Sequence, residues 1–171
     1  MNLQSTDFEL FDVPARFAQD AAQLDARWKD LQRQVHPDRF AAQGAAAQRV
    51  AMQWSARINE AHRRLKNPLQ RAAYLCELQG APIDAENNTA MPAAFLMQQM
   101  ELREALDEAH DAAAMDDVDR QSAAIQRALL QQLAQQLDTA HDWPAAAQTV
   151  RALMFLDKLA GEIDRKRAAL V

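Results

Sequence analysis

The sequence has little of the chemistry that supports disulfide-linked, membrane-spanning or strand-rich proteins. Its 171 residues include three glycines, six prolines and one cysteine. A single cysteine cannot form an internal disulfide. No apolar run approaches the roughly 20 residues of a membrane-spanning helix. The first residues also lack the basic segment and apolar stretch of a secretory signal. We therefore expect a cytoplasmic protein in which Cys76, at helical spacing between Leu75 and Leu78, packs as a small hydrophobe.

The residues that are abundant favour helix. Alanine, glutamine, leucine, arginine and aspartate dominate, and β-branched residues are few. The chain is long enough for one core or two small ones. Residues 1–79 carry 11 basic and 9 acidic side chains, whereas residues 80–171 carry 8 and 15. This uneven charge predicts two helical units that meet different partners.

Capping signals predict the helices of the first half. Thr6 and Glu9 have capping-box spacing and predict a short helix that ends near Val13-Pro14. Asp20 can cap the next helix, and Gly80 is suited to stop the last one. Asn67 as N-cap and Pro68 at the first helical position open that last helix. The three later helices are predicted at about 20–34, 45–66 and 67–79.

The second half predicts a three-helix bundle. Residues 80–91 break the helical periodicity and gather turn-forming residues, as a connection between domains does. Few helix breakers follow, so further helices are expected at about 92–113, 117–141 and 143–169. The fold class is therefore all-α: an N-terminal domain over 1–79 with an antiparallel helical hairpin, a linker over 80–91, and an antiparallel three-helix bundle over 92–171.

The first helix of the predicted bundle carries two apolar sets. With Phe95 at 0° and 100° per residue, Gln99, Leu102, Leu106 and Ala109 fall within about 40° and form a core stripe. Leu96, Met97 and Met100 fall at about 100°, 200° and 140°, away from that stripe. Glu101, Glu104 and Glu108 lie on the same outer side. Flexible apolar groups rimmed by carboxylates are typical of a protein-binding face, although packing against the first domain or the linker would give the same pattern.

The tripeptide His36-Pro37-Asp38 interrupts two periodic helices. Proline lacks an N–H donor and disfavours the α region for the residue before it, so His36 should end the first helix in an extended conformation. Basic residues are frequent around this break: residues 27–71 contain 10 basic and 3 acidic side chains. Such a surface would attract an acidic protein face or, less plausibly, nucleic acid, and each single residue also fits a solvated helix face.

In this context the tripeptide resembles that of a J-domain, the module that activates DnaK-class ATPase chaperones. The segments 58–61 and 67–72 belong to the same resemblance, and Phe40 fits one branch of it. Segments 95–108 and 151–159 resemble the C-terminal signature of that branch, the HscB family of bacterial iron–sulfur cluster biogenesis. The resemblance covers nearly the whole chain, and it implies that the J-domain engages the chaperone HscA while the bundle carries the scaffold protein IscU.

The resemblance also implies residue roles. His36 and Asp38, presented by Pro37, would couple docking to ATP hydrolysis in the partner, so the chain itself would not be an enzyme and would need no cofactor. The absence of cysteine pairs argues against a structural zinc. On the chaperone side the implied residues are His36, Pro37, Asp38, Lys29, Arg33 and Arg39; on the scaffold side they are Leu96, Met97, Met100, Glu101, Glu104, Glu108 and Phe155.

Two positions depart from the family pattern. Asp12 stands where a glycine is usual, and Val35 where an aromatic residue often precedes the tripeptide. An enzyme with His36 and Asp38 as base and orienter lacks any accompanying nucleophile or phosphate-binding motif. A nucleic-acid module fits poorly with a pI near 5.3. The main alternative is a helical protein-binding adaptor without ATPase coupling.

Overall fold

The computed structural model describes residues 1–170, and all regular structure in that range is helical, which confirms the predicted all-α class. Backbone contacts divide it into two compact units, Met1–Leu75 and a second that begins at Cys76. The predicted limits of 1–79, 80–91 and 92–171 stay predictions. Val171, the last residue of the predicted bundle, lies outside the described residues.

Helix α1, Asp7–Phe11, forms as its capping box predicts. The Glu9 N–H donates to Thr6 Oγ1 at 3.2 Å, and the Thr6 N–H donates to a Glu9 carboxylate oxygen at 2.9 Å. The helix ends before the predicted Val13-Pro14 because Asp12 adopts the left-handed conformation, with φ 50°. Asp12 therefore takes up the conformation that glycine adopts most readily at a helix end.

Two antiparallel helices form the centre of the first unit. Helix α2, Ala21–Val35, is capped by Asp20, and α3 is Ala45–Lys66, both close to prediction. Trp28 Nε1 and Gln32 Nε2 each donate to Asn59 Oδ1 at 2.8 Å, which fixes the register of the hairpin. Its core contains the fully buried Leu24, Ile58 and Leu65. Between the helices lies a 3-10 segment, Pro37–Gln43, where the sequence predicted only a loop.

His62 packs between the first helix and the hairpin. Its ring stacks on Trp28 and Phe11, with centroid distances of 4.9 and 6.2 Å, and is half-buried. Its Nε2 lies 2.7 Å from Asp25 Oδ1, and Lys66 Nζ donates to Asp25 at 2.8 Å. Hydrogen bonds from Lys66 and then His62 lower the pKa of Asp25. His62 therefore joins α1 to the hairpin.

Helix α4, Pro68–Leu78, follows α3 after one residue. Asn67 Oδ1 accepts from the Gln70 N–H at 3.0 Å, which confirms Asn67 as the cap. Gly80 ends the helix with φ 78°, a conformation that costs glycine little. Cys76 is buried, as predicted.

Three helices form the bundle of the second unit: α5, Ala93–Glu108; α6, Ala112–Gln135; and α7, Trp143–Ala169. Helix α7 matches its prediction. Helix α6 begins five residues earlier than predicted because Asp111 Oδ1 accepts from the Ala114 N–H at 2.7 Å and caps it there. Helix α5 ends before the predicted 113, where Ala109 adopts an extended conformation. A π-helical turn, Gln136–Ala140, continues α6.

Side-chain contacts fix the helix directions in the bundle. Phe95 of α5 contacts Phe155 of α7, and further along both helices Arg103 pairs with Glu162. The contacts follow the same order in both helices, so α5 and α7 run parallel. Thr149 Oγ1 donates to Gln136 Oε1 at 2.8 Å, whereas Arg167 pairs with Asp116, so α6 runs antiparallel to α7. The bundle core includes the buried Leu102, Leu133 and Leu156.

The segment 80–91 packs within the second unit. Arg151 of α7 donates from Nε to the Ile83 carbonyl at 3.0 Å and from Nη1 to the Ala90 carbonyl at 2.9 Å. The Ile83 side chain is buried. No helix among residues 1–170 combines the length and apolar character needed to cross a membrane.

Candidate functional site

The His36-Pro37-Asp38 tripeptide forms a structured, exposed corner. His36 ends α2 in an extended conformation, with φ −56° and ψ 127°, as Pro37 predicts. The Asp38 N–H donates to His36 Nδ1 at 3.3 Å. Because Nδ1 accepts, the neutral ring carries its proton on Nε2. The His36 and Asp38 side chains are 56% and 90% exposed, so both are available to a partner.

Two hydrogen bonds hold this corner against α2. The Arg39 N–H donates to the His36 carbonyl at 3.0 Å, and Arg39 Nη1 donates to the Arg33 carbonyl at 2.8 Å. The guanidinium thus gives a hydrogen-bond partner to a carbonyl in the last turn of α2. Its positive charge also interacts favourably with the negative end of the helix dipole. Arg39 therefore holds the corner in position in addition to adding charge.

The predicted basic residues lie on α2 and directly after the tripeptide. Lys29 and Arg33 are exposed and four residues apart on α2, which places them on the same helix face. Arg39 contacts the C-terminal end of that face through the Arg33 carbonyl. Arg33 also forms an exposed ion pair with Asp30 at 2.9 Å, which neutralises part of its charge. Lys29, Arg33 and Arg39 form the basic patch, which follows this face of α2 to its C-terminal end.

A second candidate surface lies on α5, and its outward placement agrees with the angular analysis. Phe95, Leu102 and Leu106 are buried, whereas Met97 and Met100 are 68% and 69% exposed. Leu96 is also exposed. All three predicted carboxylates of this helix lie in solvent. The α5 face is therefore defined by Leu96, Met97, Met100, Glu101, Glu104 and Glu108.

Phe155 of α7 adjoins the α5 face. Its ring meets Phe95 edge-on at a centroid distance of 5.8 Å and is half-buried. The Arg103 guanidinium lies over the ring at 5.2 Å. Arg103 is held in turn by both carboxylate oxygens of Glu162. Phe155 thus has a fixed orientation beside Met100.

Phe155 and one face of α5 line an open cavity of about 580 Å³. Met100, Arg103, Glu104 and Glu108 line it together with Phe155. The cavity combines the apolar side chains of Met100 and Phe155 with carboxylates of α5, which suits an apolar protein segment flanked by basic groups. Within residues 1–170, no group of three or more His, Cys, Asp or Glu side chains is arranged to hold a metal ion.

Sequence reasoning missed Arg103 and Glu162. Arg103 lies at about 80° from Phe95 on the helix, at the edge of the core stripe, where an arginine is ordinary. Its partner is 59 residues away, so no local spacing connects the two. Only the parallel packing of α5 and α7 brings them to Phe155.

Comparisons with known proteins agree over almost the full chain. The family described as HSCB C-terminal oligomerisation domain matches residues 91–164. A co-chaperone protein HscB homolog from Bordetella petrii is 52% identical over 163 residues, covering 95% of this chain and 96% of the relative. Chaperone HscB from Vibrio cholerae has a TM-score of 0.81 and 38% identity, covering 98% of this chain and 100% of that one. Human co-chaperone protein HscB has a TM-score of 0.85 and 28% identity, covering 97% and 84%.

Proposed function

We propose that this chain, which belongs to the HscB family of co-chaperones, delivers the scaffold protein IscU to the chaperone HscA and stimulates ATP hydrolysis by HscA. In this role it assists iron–sulfur cluster transfer in the cytoplasm, with the cluster as cargo on the scaffold. The observation that carries the proposal is that one chain has two exposed surfaces of different charge, each built on its own compact unit.

The tripeptide corner is the proposed chaperone contact. The basic patch of Lys29, Arg33 and Arg39 steers the first unit toward an acidic surface and increases the rate of encounter. The corner then presents His36 and Asp38 in one geometry, because Pro37 and the Arg39 hydrogen bonds limit its freedom. Hydrolysis takes place entirely on the partner, and these side chains act by contacting the groups that control it.

The α5 face and Phe155 are the proposed scaffold contact. Methionine side chains repack at little cost, so Met97 and Met100 suit a partner that is bound and later released. The carboxylates of Glu101, Glu104 and Glu108 select a partner with basic groups beside its apolar segment. The Phe155 ring contributes a rigid apolar contact, since aromatic side chains often dominate interface energetics.

The ATPase rate of HscA with IscU tests the proposed coupling. We expect wild type and a His110→Gln control to stimulate it, because His110 is exposed in the second unit, far along the chain from the corner. A His36→Gln variant that keeps its circular dichroism spectrum should lose most of the stimulation. Equal stimulation by all three proteins would make the tripeptide structural and leave the helical-adaptor alternative as the better account.

Calorimetric titration with IscU tests the scaffold face. We expect the Leu96→Ala/Met100→Ala/Phe155→Ala variant to lose at least about tenfold in affinity, because truncating central apolar contacts commonly costs more than about 1 kcal/mol each. The matched control is Val50→Ala/Met52→Ala, which removes exposed apolar side chains from the first unit. Unchanged affinity in the folded triple variant would remove this face from the proposal.

A further inference from the structure

Phe155 also lines a second cavity, to which the α5 carboxylates do not contribute. This cavity has a volume of about 150 Å³ and lies between the segment 80–91 and α7. Thr89 and Met91 line it from the segment, and Met154 and Lys158 line it from the helix. A cavity of about this size accommodates a benzene-sized group. One partner side chain therefore fits within it.

The wall formed by the segment 80–91 is held in place. Arg151 is only 6% exposed, and its guanidinium donates to the carbonyls of Ile83 and Ala90 at 3.0 and 2.9 Å. Ala90 lies directly between Thr89 and Met91. Two hydrogen bonds from a charged donor are strong contacts in a buried setting. The cavity is therefore a feature of the folded unit and not a gap beside a loose loop.

The two cavities share Phe155 but differ in the charge of their other lining residues. Glu104 and Glu108 line the first, where the positive charge of Arg103 is already paired with Glu162. Lys158, which is exposed, lines the second. Phe155 lies between them and contributes to both. The surface therefore runs from the negative first cavity, across the apolar Phe155, to the positive second cavity.

We infer that the scaffold-binding surface continues across Phe155 into this second cavity and that its charge order fixes the orientation of the bound scaffold. The scaffold would place an apolar side chain against Met91 and Met154, an acidic group against Lys158, and basic groups against Glu104 and Glu108. A partner bound in the reverse direction would meet like charges at both ends, which is unfavourable. This inference rests on the proposed function.

Calorimetric titration of IscU at low and high salt tests the inference. Lys158→Glu should weaken binding about fivefold to tenfold at low salt and less at high salt, because exposed charges are screened. Lys158→Gln should give a smaller loss, and Met154→Ala a loss that salt does not reduce. The charge-matched control is Arg127→Glu on α6, also exposed, which should bind within about twofold of wild type.

A Leu96→Ala/Met100→Ala variant separates this inference from the proposed function. If that variant loses affinity while the Lys158 and Met154 variants bind as wild type, the surface ends at Phe155 and the inference is wrong, whereas the proposed function stands. If neither set loses affinity, the scaffold contact lies elsewhere and both fail. Losses in both sets, with the Arg127→Glu control unchanged, support the continuous surface.

Discussion

Among single residues, Cys76 shows most directly how the fold changes side-chain chemistry. Its side chain is fully buried, and its sulfur lies 3.9 Å from the Trp143 carbonyl oxygen. Burial raises the pKa of this thiol to about 11, although the positive charge of Arg151 acts in the opposite direction. Because the thiolate is the reactive form, the folded protein keeps Cys76 inert.

We expect native Cys76 to react with iodoacetamide at pH 8 at least about 100-fold more slowly than in urea. A pKa raised by about two units lowers the thiolate fraction by about that factor, and burial adds a further barrier. Mass spectrometry of timed samples measures both rates. Equal rates would show that the second unit opens freely around Cys76.

The same pKa shift makes stability depend on pH at alkaline values. The unfolded thiol loses its proton near pH 9, whereas the folded one keeps it to about pH 11. The free energy of unfolding should therefore fall as the pH rises through this window, by up to about 1.4 kcal/mol per pKa unit. Urea denaturation at several pH values measures the slope. A Cys76→Ala variant should lack this component, and an identical slope in that variant would contradict the assignment.

Among the helices, α1 depends on one buried carboxylate. Asp7 is 0% exposed and pairs with Arg57 at 2.7 Å and with Arg64 through both of its carboxylate oxygens. Its N–H donates to the Tyr74 hydroxyl at 3.0 Å. Five residues cannot form a stable helix alone, so these contacts with α3 and α4 stabilise α1.

We expect Asp7→Asn to lower the free energy of unfolding of the first unit by about 3 kcal/mol, because it leaves two guanidinium groups without their charge partner. The matched control is Asp30→Asn, which removes the exposed ion pair with Arg33 and should cost less than about 1 kcal/mol. Urea denaturation followed by Trp fluorescence measures both. Similar small losses would show that α1 is held mainly by its apolar face.

The helices also show what sequence can and cannot predict. Local signals located most of them: caps and prolines set the starts of α1, α2, α4 and α7 within about a residue. The predicted start of α6 was wrong. The alanines after Asp111 carry no apolar stripe, so nothing in the local pattern indicated that Asp111 caps this helix. The Arg103–Glu162 pair had no local signal at all, because long-range packing alone creates it.

At the scale of the whole molecule, family membership is established, and Leu96, Met97 and Met100 are exposed on the outer side of α5, as the helical periodicity predicted. The outer side of α5 was readable because helical periodicity separates core from surface. The side-chain contacts that orient Phe155 and fix the segment 80–91 could not be predicted, because they join residues about 60 positions apart.

Delivery of the scaffold to the chaperone by one chain requires the tripeptide corner and the α5 face to be on the same molecule. We expect an equimolar mixture of the His36→Gln variant and the Leu96→Ala/Met100→Ala/Phe155→Ala variant to give no more HscA stimulation with IscU than the second variant alone. Each molecule then lacks one contact, and tethering provides no effective concentration of scaffold. Steady-state ATPase assays measure this. Recovery of wild-type rates in the mixture would show that the two contacts act independently.

The contact between Asp7 and Tyr74 has a consequence for biosynthesis. It joins the start of the first unit to almost its last residue, so this contact cannot form until the ribosome has translated α4. The α2–α3 hairpin needs only near neighbours in the chain and can assemble sooner, because short loops close fastest. The nascent chain therefore completes its hairpin first, α1 can pair with Arg57 and Arg64 of that hairpin, and the emergence of α4 adds the Tyr74 contact last.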